Sequence, residues 1–203
     1  MAVLTPPSQQ TTTDTEGTSR KGSAKSIPVG RPKGGYPAPR QLATPTDLKP
    51  EEVQKVTEIC NQIVADHFAL YVKYKNFHWH LSSSHFRDYH LMFDEHAAEL
   101  LAAIDPLAER IRKIGGTTIR SINHIQELTE VADDDEDYVT PQAMIERLLD
   151  ENKKSLKTTR DAIEVTDEAR DYPTNDLLQE LLDAAERRTW FLHEISQGAD
   201  NAA

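Results

Sequence analysis

The stretch from Lys75 to Glu109, KNFHWHLSSSHFRDYHLMFDEHAAELLAAIDPLAE, decides how this chain folds and what it can hold. It contains the end of one helical pattern, a break, and most of a second pattern. Upstream, Val53, Val56, Cys60, Ile63, Leu70, Tyr74 and Phe77 recur at spacings of three, four or their multiples, which predicts a long amphipathic helix from Glu51 to about Leu81. Pro50 suits its first turn, where a missing N–H costs nothing. Ser82, Ser83 and Ser84 interrupt the pattern, and a second helix runs on to about Ile114, where Gly115 and Gly116 end it. Pro106 lies inside that helix and removes a backbone donor, so a local kink is expected near Ala102 to Asp105.

Working outward toward the C-terminus, Ile122 to Val131 reads as a short helix and the run Asp133 to Asp137 as a solvated acidic loop. Thr140 and Pro141 look like an N-cap and first helical residue of a third long helix reaching about Thr166. A fourth follows Pro173, with Thr174 or Asn175 as its cap, and ends near Ser196. No useful strand-like alternation occurs. The expected fold is all-α: a four-helix bundle with a short helix between its second and third members.

Toward the N-terminus the composition changes. Seven of the 11 prolines and five of the 8 glycines fall in residues 1–49, among many Ser and Thr and few large apolar side chains. Such a segment cannot bury enough surface to offset its ordering entropy, so residues 1–49 are expected to be a disordered tail and residues 50–203 the folded domain. The tail carries seven Lys or Arg against three acids, and the domain 16 against 31, so the tail is basic and the domain strongly acidic. An acidic body attracts metal cations and repels nucleic acid, whereas the loose basic tail could bind DNA phosphates or simply act as a solubilising linker. There is no signal-like N-terminus and no apolar run long enough for a membrane span. The single Cys60 sits in an apolar helical stripe and reads as a buried thiol, consistent with a reducing cytoplasm.

The quoted stretch also carries a ligand pattern. His90 and Asp94 are four apart, as are Asp105 and Glu109, so each pair shares a helix face and could grip a metal. Eleven residues from Asp94 to Asp105 are three turns plus about 20°, which keeps both pairs on one stripe but about 16 Å apart. A dinuclear pair spans only about 4 Å, so one chain cannot close the site. Two copies of the helix, antiparallel about a two-fold axis, would set His90 and Asp94 of one against Asp105 and Glu109 of the other. With His78 the set becomes two imidazoles and three carboxylates, a mixture suited to iron that cycles between ferrous and ferric states. Each residue has an ordinary alternative: His78 a core histidine, Asp94 and Asp105 surface acids, Glu109 a partner of Arg112 or Lys113.

Taken together, the pattern resembles the Dps family of ferritin-like proteins, whose signature has His-Trp, then Phe at plus 8, His at plus 12, Asp at plus 16, Asp at plus 27 and Glu at plus 31. From His78 and Trp79 these offsets land on Phe86, His90, Asp94, Asp105 and Glu109 without an insertion. The resemblance covers about residues 50 to 200. It implies a dodecameric homo-oligomer that oxidises ferrous iron with hydrogen peroxide, or oxygen, at di-iron sites shared between subunits. It implies also storage of the ferric mineral, protection of DNA from oxidative damage, and Trp79 as an interceptor of stray radicals. Zinc could substitute for iron, and binding through the tail would add nucleoid association in the cytoplasm. Entry of iron would pass acidic pores near the start of the last helix, where Asp167, Asp171 and Asp176 stand.

Two positions depart from the family pattern. His80 replaces the usual Asn, two residues and so about 200° from His78, and an additional imidazole near the metals enters the reckoning. Ser83 replaces the usual Gly, which alters the turn if that position needs a positive φ. His67 falls on a core-like face, His96 is two residues from Asp94 and faces away from the stripe, and His85, His124 and His193 lack a ligand partner at helical spacing. No His has a Glu three residues before it, which argues against a di-iron site inside one bundle. Two other functions stay open on the sequence: a DNA-packaging protein using the fold without turnover, and a passive divalent-metal buffer. No nucleophilic triad, phosphate loop or zinc-finger spacing appears.

Overall fold

In the computed structural model, residues 35–198 are described, and they form five α-helices and one 3-10 turn. The helices are α1 (Pro50–His80), α2 (Phe86–Lys113), α3 (Ile122–Leu128), α4 (Pro141–Glu168) and α5 (Tyr172–Ser196). No strand occurs among the described residues, and none of the helices is long and apolar enough to cross a membrane. The long helices form the four-helix bundle that the periodicity predicts: α1 packs on α2 and α4 on α5, while α1 meets α4 and α3 lies against α1.

Several boundaries have a local cause. Pro50 is the first helical residue, and Glu52 reaches back 2.8 Å to the Lys49 N–H, so an orphan donor is satisfied where α1 begins. Thr140 caps α4 by accepting from the Ala143 N–H at 3.2 Å. The cap of α5 differs from expectation: Asp171 accepts from the Thr174 N–H, one residue before the helix starts, and Thr174 and Asn175 lie within it. Asp171 prevails because its carboxylate also takes hydrogen bonds from the Thr174 hydroxyl and from Arg110. Helix α2 runs unbroken through Pro106.

The ends of α2 and α4 use one motif with different residues. After α2, Gly115 at φ 96° lets the Gly115 and Gly116 N–H groups bond back to Arg112 and Ile111. After α4, Arg170 adopts φ 57° and does the same work, with Asp171 bonding back to Thr166. Arg170 is the one non-glycine residue with positive φ among the described residues, so the α1–α2 turn does not require it at Ser83.

The core has two parts along the bundle. Near the α1–α2 turn, Leu70, Tyr74, Phe77, Phe93, Leu100, Leu148 and Leu192 pack together; toward the other end, Val53, Val56, Cys60, Ile63, Leu107, Ile111 and Leu178 do so. Burying each such side chain stabilises the fold by about 1.5–3 kcal/mol. Cys60 is fully buried, and burial pushes its thiol up to about 12, so it is no nucleophile.

Two expected solvated segments prove to be partly ordered. Residues 1–34 of the expected tail lie outside the described residues, but residues 35–49 dock on the domain. The Gly35 carbonyl accepts from both the N–H and hydroxyl of Thr117, Arg112 donates to the Leu42 carbonyl at 2.7 Å, and Tyr36 and Leu48 pack on the second core cluster. Composition alone could not reveal contacts made to residues 70 positions away. In the acidic run, the Asp134 side chain is buried between Arg147, at 2.7 Å, and Lys73, at 3.9 Å.

Candidate metal centre

The site residues follow from the amphipathy of α2. Its buried face is Phe93, Ala97, Leu100, Ile104, Leu107 and Ile111; Asp94, Asp105 and Glu109 take the opposite, exposed side. The carboxylates therefore point away from this chain's own bundle. His78, at the end of α1, and His90, in the second turn of α2, meet at the seam between these helices and are half-buried.

Their geometry is reciprocal. The two rings stack with centroids 3.6 Å apart, and each uses Nδ1 to reach the backbone carbonyl of the other residue, at 2.8 and 2.9 Å. A carbonyl can only accept, so Nδ1 carries the proton and the lone pair sits on Nε2. A metal-ligating histidine is commonly oriented in this way by a partner at its other nitrogen. Phe86 stacks on the outer face of His90 at 4.8 Å, which accounts for the aromatic at that position of the motif.

Asp94 is half-exposed and accepts from the Lys75 ammonium at 2.6 Å. That hydrogen bond, more than any other influence, holds its carboxyl below the usual carboxylate range. The same ammonium lies 5.6 Å from the centre of the Trp79 ring, and Trp79 itself is 64% exposed. The ligand pattern overlooked Lys75, because its contact with Asp94 is made between two helices across 19 residues, which helical spacing does not contain.

At the far end, Glu109 pairs with Lys113 at 3.2 Å, both side chains 60% exposed, the ordinary partner that the sequence allowed. Exposed pairs of this kind contribute about 0–1 kcal/mol, so a metal can displace it. Among the described residues of a single chain, no three of His, Cys, Asp or Glu gather closely enough to hold a metal ion. The structure thus brings His78 and His90 into contact, sets Asp94 one turn beyond His90 on α2 beside Lys75, and leaves Asp105 and Glu109 apart, about 16 Å along the helix.

The other candidates resolve as follows. His80 is exposed and tied by Nδ1 to the Asn76 carbonyl at 2.9 Å. His67 and His96 are buried in the bundle, 2% and 1% exposed. Asp167 and Asp176 are exposed, but Asp171 is buried and bonded to Arg110 and Thr174, so its carboxylate is not available to line a pore.

Residues 57–200 match the model of the ferritin-like domain family. Among relatives, an uncharacterised low temperature-induced protein of Nostoc sp. is 31% identical over 152 residues, 74% of this chain and 85% of the relative. DNA protection during starvation protein 1 of Deinococcus radiodurans is 29% identical over 148 residues, 73% of this chain and 72% of that protein. Among solved structures, DpsC from Streptomyces coelicolor superposes with a TM-score of 0.72 at 33% identity, covering 75% of this chain and 89% of its own.

Proposed function

Because the chain belongs to the ferritin-like Dps family, we propose that it oxidises ferrous iron at two-iron sites shared between subunits and stores the ferric product within a dodecameric shell, protecting DNA from oxidative damage. The observation that carries this reading is the split stripe: imidazole lone pairs and Asp94 at one end of an outward face, Asp105 and Glu109 at the other, with no closure inside one chain. Antiparallel pairing of two α2 helices about a two-fold axis joins unlike ends and makes two equivalent sites.

The residues divide the chemistry. Nε2 of His78 and His90 supplies neutral donors suited to the ferrous substrate, and the three carboxylates favour the harder ferric product. Two ferrous ions give one electron each to one hydrogen peroxide, which takes up two protons and leaves as two waters. Oxygen is the slower alternative oxidant. The acidic domain draws the cations in. Trp79, exposed beside the site, is placed to intercept an escaping radical.

Co-assembly tests the reading. A variant lacking His78, His90 and Asp94 and another lacking Asp105 and Glu109 are each expected to lose the fast, peroxide-driven phase of iron oxidation. Mixed two-fold dimers restore one of their two sites, so activity returns only after subunits are exchanged. Inactive mixed dimers, with wild-type protein recovering under the same treatment, would refute the shared site. Metal binding without iron-dependent peroxide consumption would identify a passive divalent-metal buffer instead.

The basic N-terminal segment supports DNA binding as a second activity. Residues 1–34 hold Arg20, Lys21, Lys25, Arg31 and Lys33 against Asp14 and Glu16. Deleting 1–34, and sparing the docked residues 35–49, is expected to leave iron oxidation intact and abolish a salt-sensitive gel shift. Retention of the shift by the truncated protein would place DNA binding elsewhere.

A further inference from the structure

The segment that precedes α1 packs on the second core cluster, but one of its contacts is made to a residue one turn from Glu109. The 3-10 turn Arg40–Leu42, closed by the Leu42 N–H on the Pro39 carbonyl at 2.7 Å, presents the Leu42 carbonyl to Arg112. Arg112 donates to it through Nη2 at 2.7 Å and through Nη1 to the Gly116 carbonyl, so both arms of the guanidinium are held on backbone oxygens. Three residues separate Arg112 from Glu109, the spacing at which helical side chains meet. Glu109 nevertheless pairs with Lys113, at 3.2 Å between two largely exposed side chains. The segment has a firm seat. The Gly35 carbonyl accepts from the Thr117 N–H at 2.8 Å and from its hydroxyl at 2.9 Å, while the Thr117 carbonyl accepts from the buried Asn61 of α1 at 2.9 Å. A Cβ on Gly35 would collide with the hydroxyl and carbonyl oxygens of Thr117, the second of them backbone that cannot turn aside, so this seat takes glycine alone.

We propose that residues 35–43 are a strap that positions the Asp105 and Glu109 end of the metal stripe: by engaging Arg112 through the Leu42 carbonyl, it keeps a guanidinium from closing on Glu109. This role rests on the intersubunit metal site proposed above. A freed guanidinium at this spacing is a stronger rival for the carboxylate than the Lys113 ammonium, because its planar fork can donate two parallel N–H bonds. With the strap seated, a metal ion arriving at Glu109 has only an exposed lysine pair to displace. Arg112 and the strap are positioning residues, and neither touches the metal. The N-terminal segment thus divides in two, residues 1–34 being dispensable for metal binding and residues 35–43 required for full affinity.

Zinc, which does not turn over, is the probe, titrated by calorimetry into the assembled protein. Full-length protein and the 1–34 deletion are expected to share one isotherm. Deleting residues 1–43 is expected to weaken zinc about three- to fivefold, the worth of one exposed ion pair. Adding Arg112→Met to that deletion should restore the full-length affinity, since the rival is then gone, and Arg112→Met in the full-length protein should not weaken it. A strap that only covers the core predicts the opposite, a loss that Arg112→Met leaves in place or deepens. The strap's role is overturned if the 1–43 deletion binds zinc within about 1.5-fold of full-length protein, if deleting 1–34 weakens it as much, if Arg112→Met fails to restore the loss, or if Arg112→Met alone weakens binding. A full-length isotherm unchanged by Asp105→Ala/Glu109→Ala overturns the metal site itself and the strap's role with it. Where the 1–43 deletion does not assemble, Gly35→Val, with release read from faster amide exchange at Thr117, meets the same criteria.

Discussion

Two pairs of histidines, a few residues apart in sequence, live under opposite rules in this molecule. His78 and His90 at the seam donate Nδ1–H to backbone carbonyls and keep Nε2 free. His67 and His96 lie inside the bundle; Nδ1 of His67 and both ring nitrogens of His96 have no hydrogen-bond partner among the described residues. His96 instead packs edge-on against Tyr74 at 5.4 Å and near Phe191 at 6.2 Å. Burial, reinforced by the Arg188 cation, holds His96 down at about 4 and His67 at about 3. An imidazole is placed to act as a ligand when one nitrogen is anchored and the other is left free. Enclosed without anchors, it is a neutral aromatic filler.

Exchanging the two environments' roles gives the largest expected effect. His90→Leu should lower the rate of peroxide-driven iron oxidation at least about 100-fold, in line with loss of a metal ligand and its orienting contact, with little change in thermal midpoint. His96→Leu should leave that rate within about twofold, since the ring points into the core and not toward the site. Stopped-flow oxidation with calorimetric melting measures both. A rate lost in His96→Leu with an intact fold would erase the distinction.

Acid stability is the next test. The unfolded chain protonates its histidines near the ordinary 6.5, whereas folded His96 waits until about 4 and His67 until about 3. Their folded values are depressed, so the stability they confer is fully present above about pH 6.5. It declines as pH falls through the window down to those values. For His96 alone the decline amounts to about 3 kcal/mol. Denaturant unfolding from pH 7 to 4 should show the loss, and His96→Leu should flatten the curve. An unaltered slope in that variant would mean that His96 is not buried neutral.

The smallest effect concerns the outer face of His90. Phe86→Leu removes the ring stacked on it and is expected to weaken zinc binding only about three- to tenfold, the worth of one aromatic pair. A loss as large as that of His90→Leu would make Phe86 a determinant of ring orientation rather than a packing neighbour.

Much of this was legible in the sequence because it depends on local rules. Helical period, the Thr140 cap, Pro50 and Pro141 at first turns and Gly115 after α2 are properties of a few consecutive residues. So is the placement of Asp94, Asp105 and Glu109 on one stripe, since the helical repeat dictates it, and the same repeat showed that one chain could not close the site. Four things depended on contacts between distant segments, and only the tertiary structure decided them. Residues 35–49 are ordered because Thr117 and Arg112 receive them. Asp134 leaves solvent because Lys73 and Arg147 face it. Asp171 is withdrawn from solvent and held as the α5 cap because Arg110, 61 positions before it, donates to its carboxylate. Lys75 joins the site because α1 and α2 pack with Asp94 above it, a pairing across 19 residues that no periodicity contains.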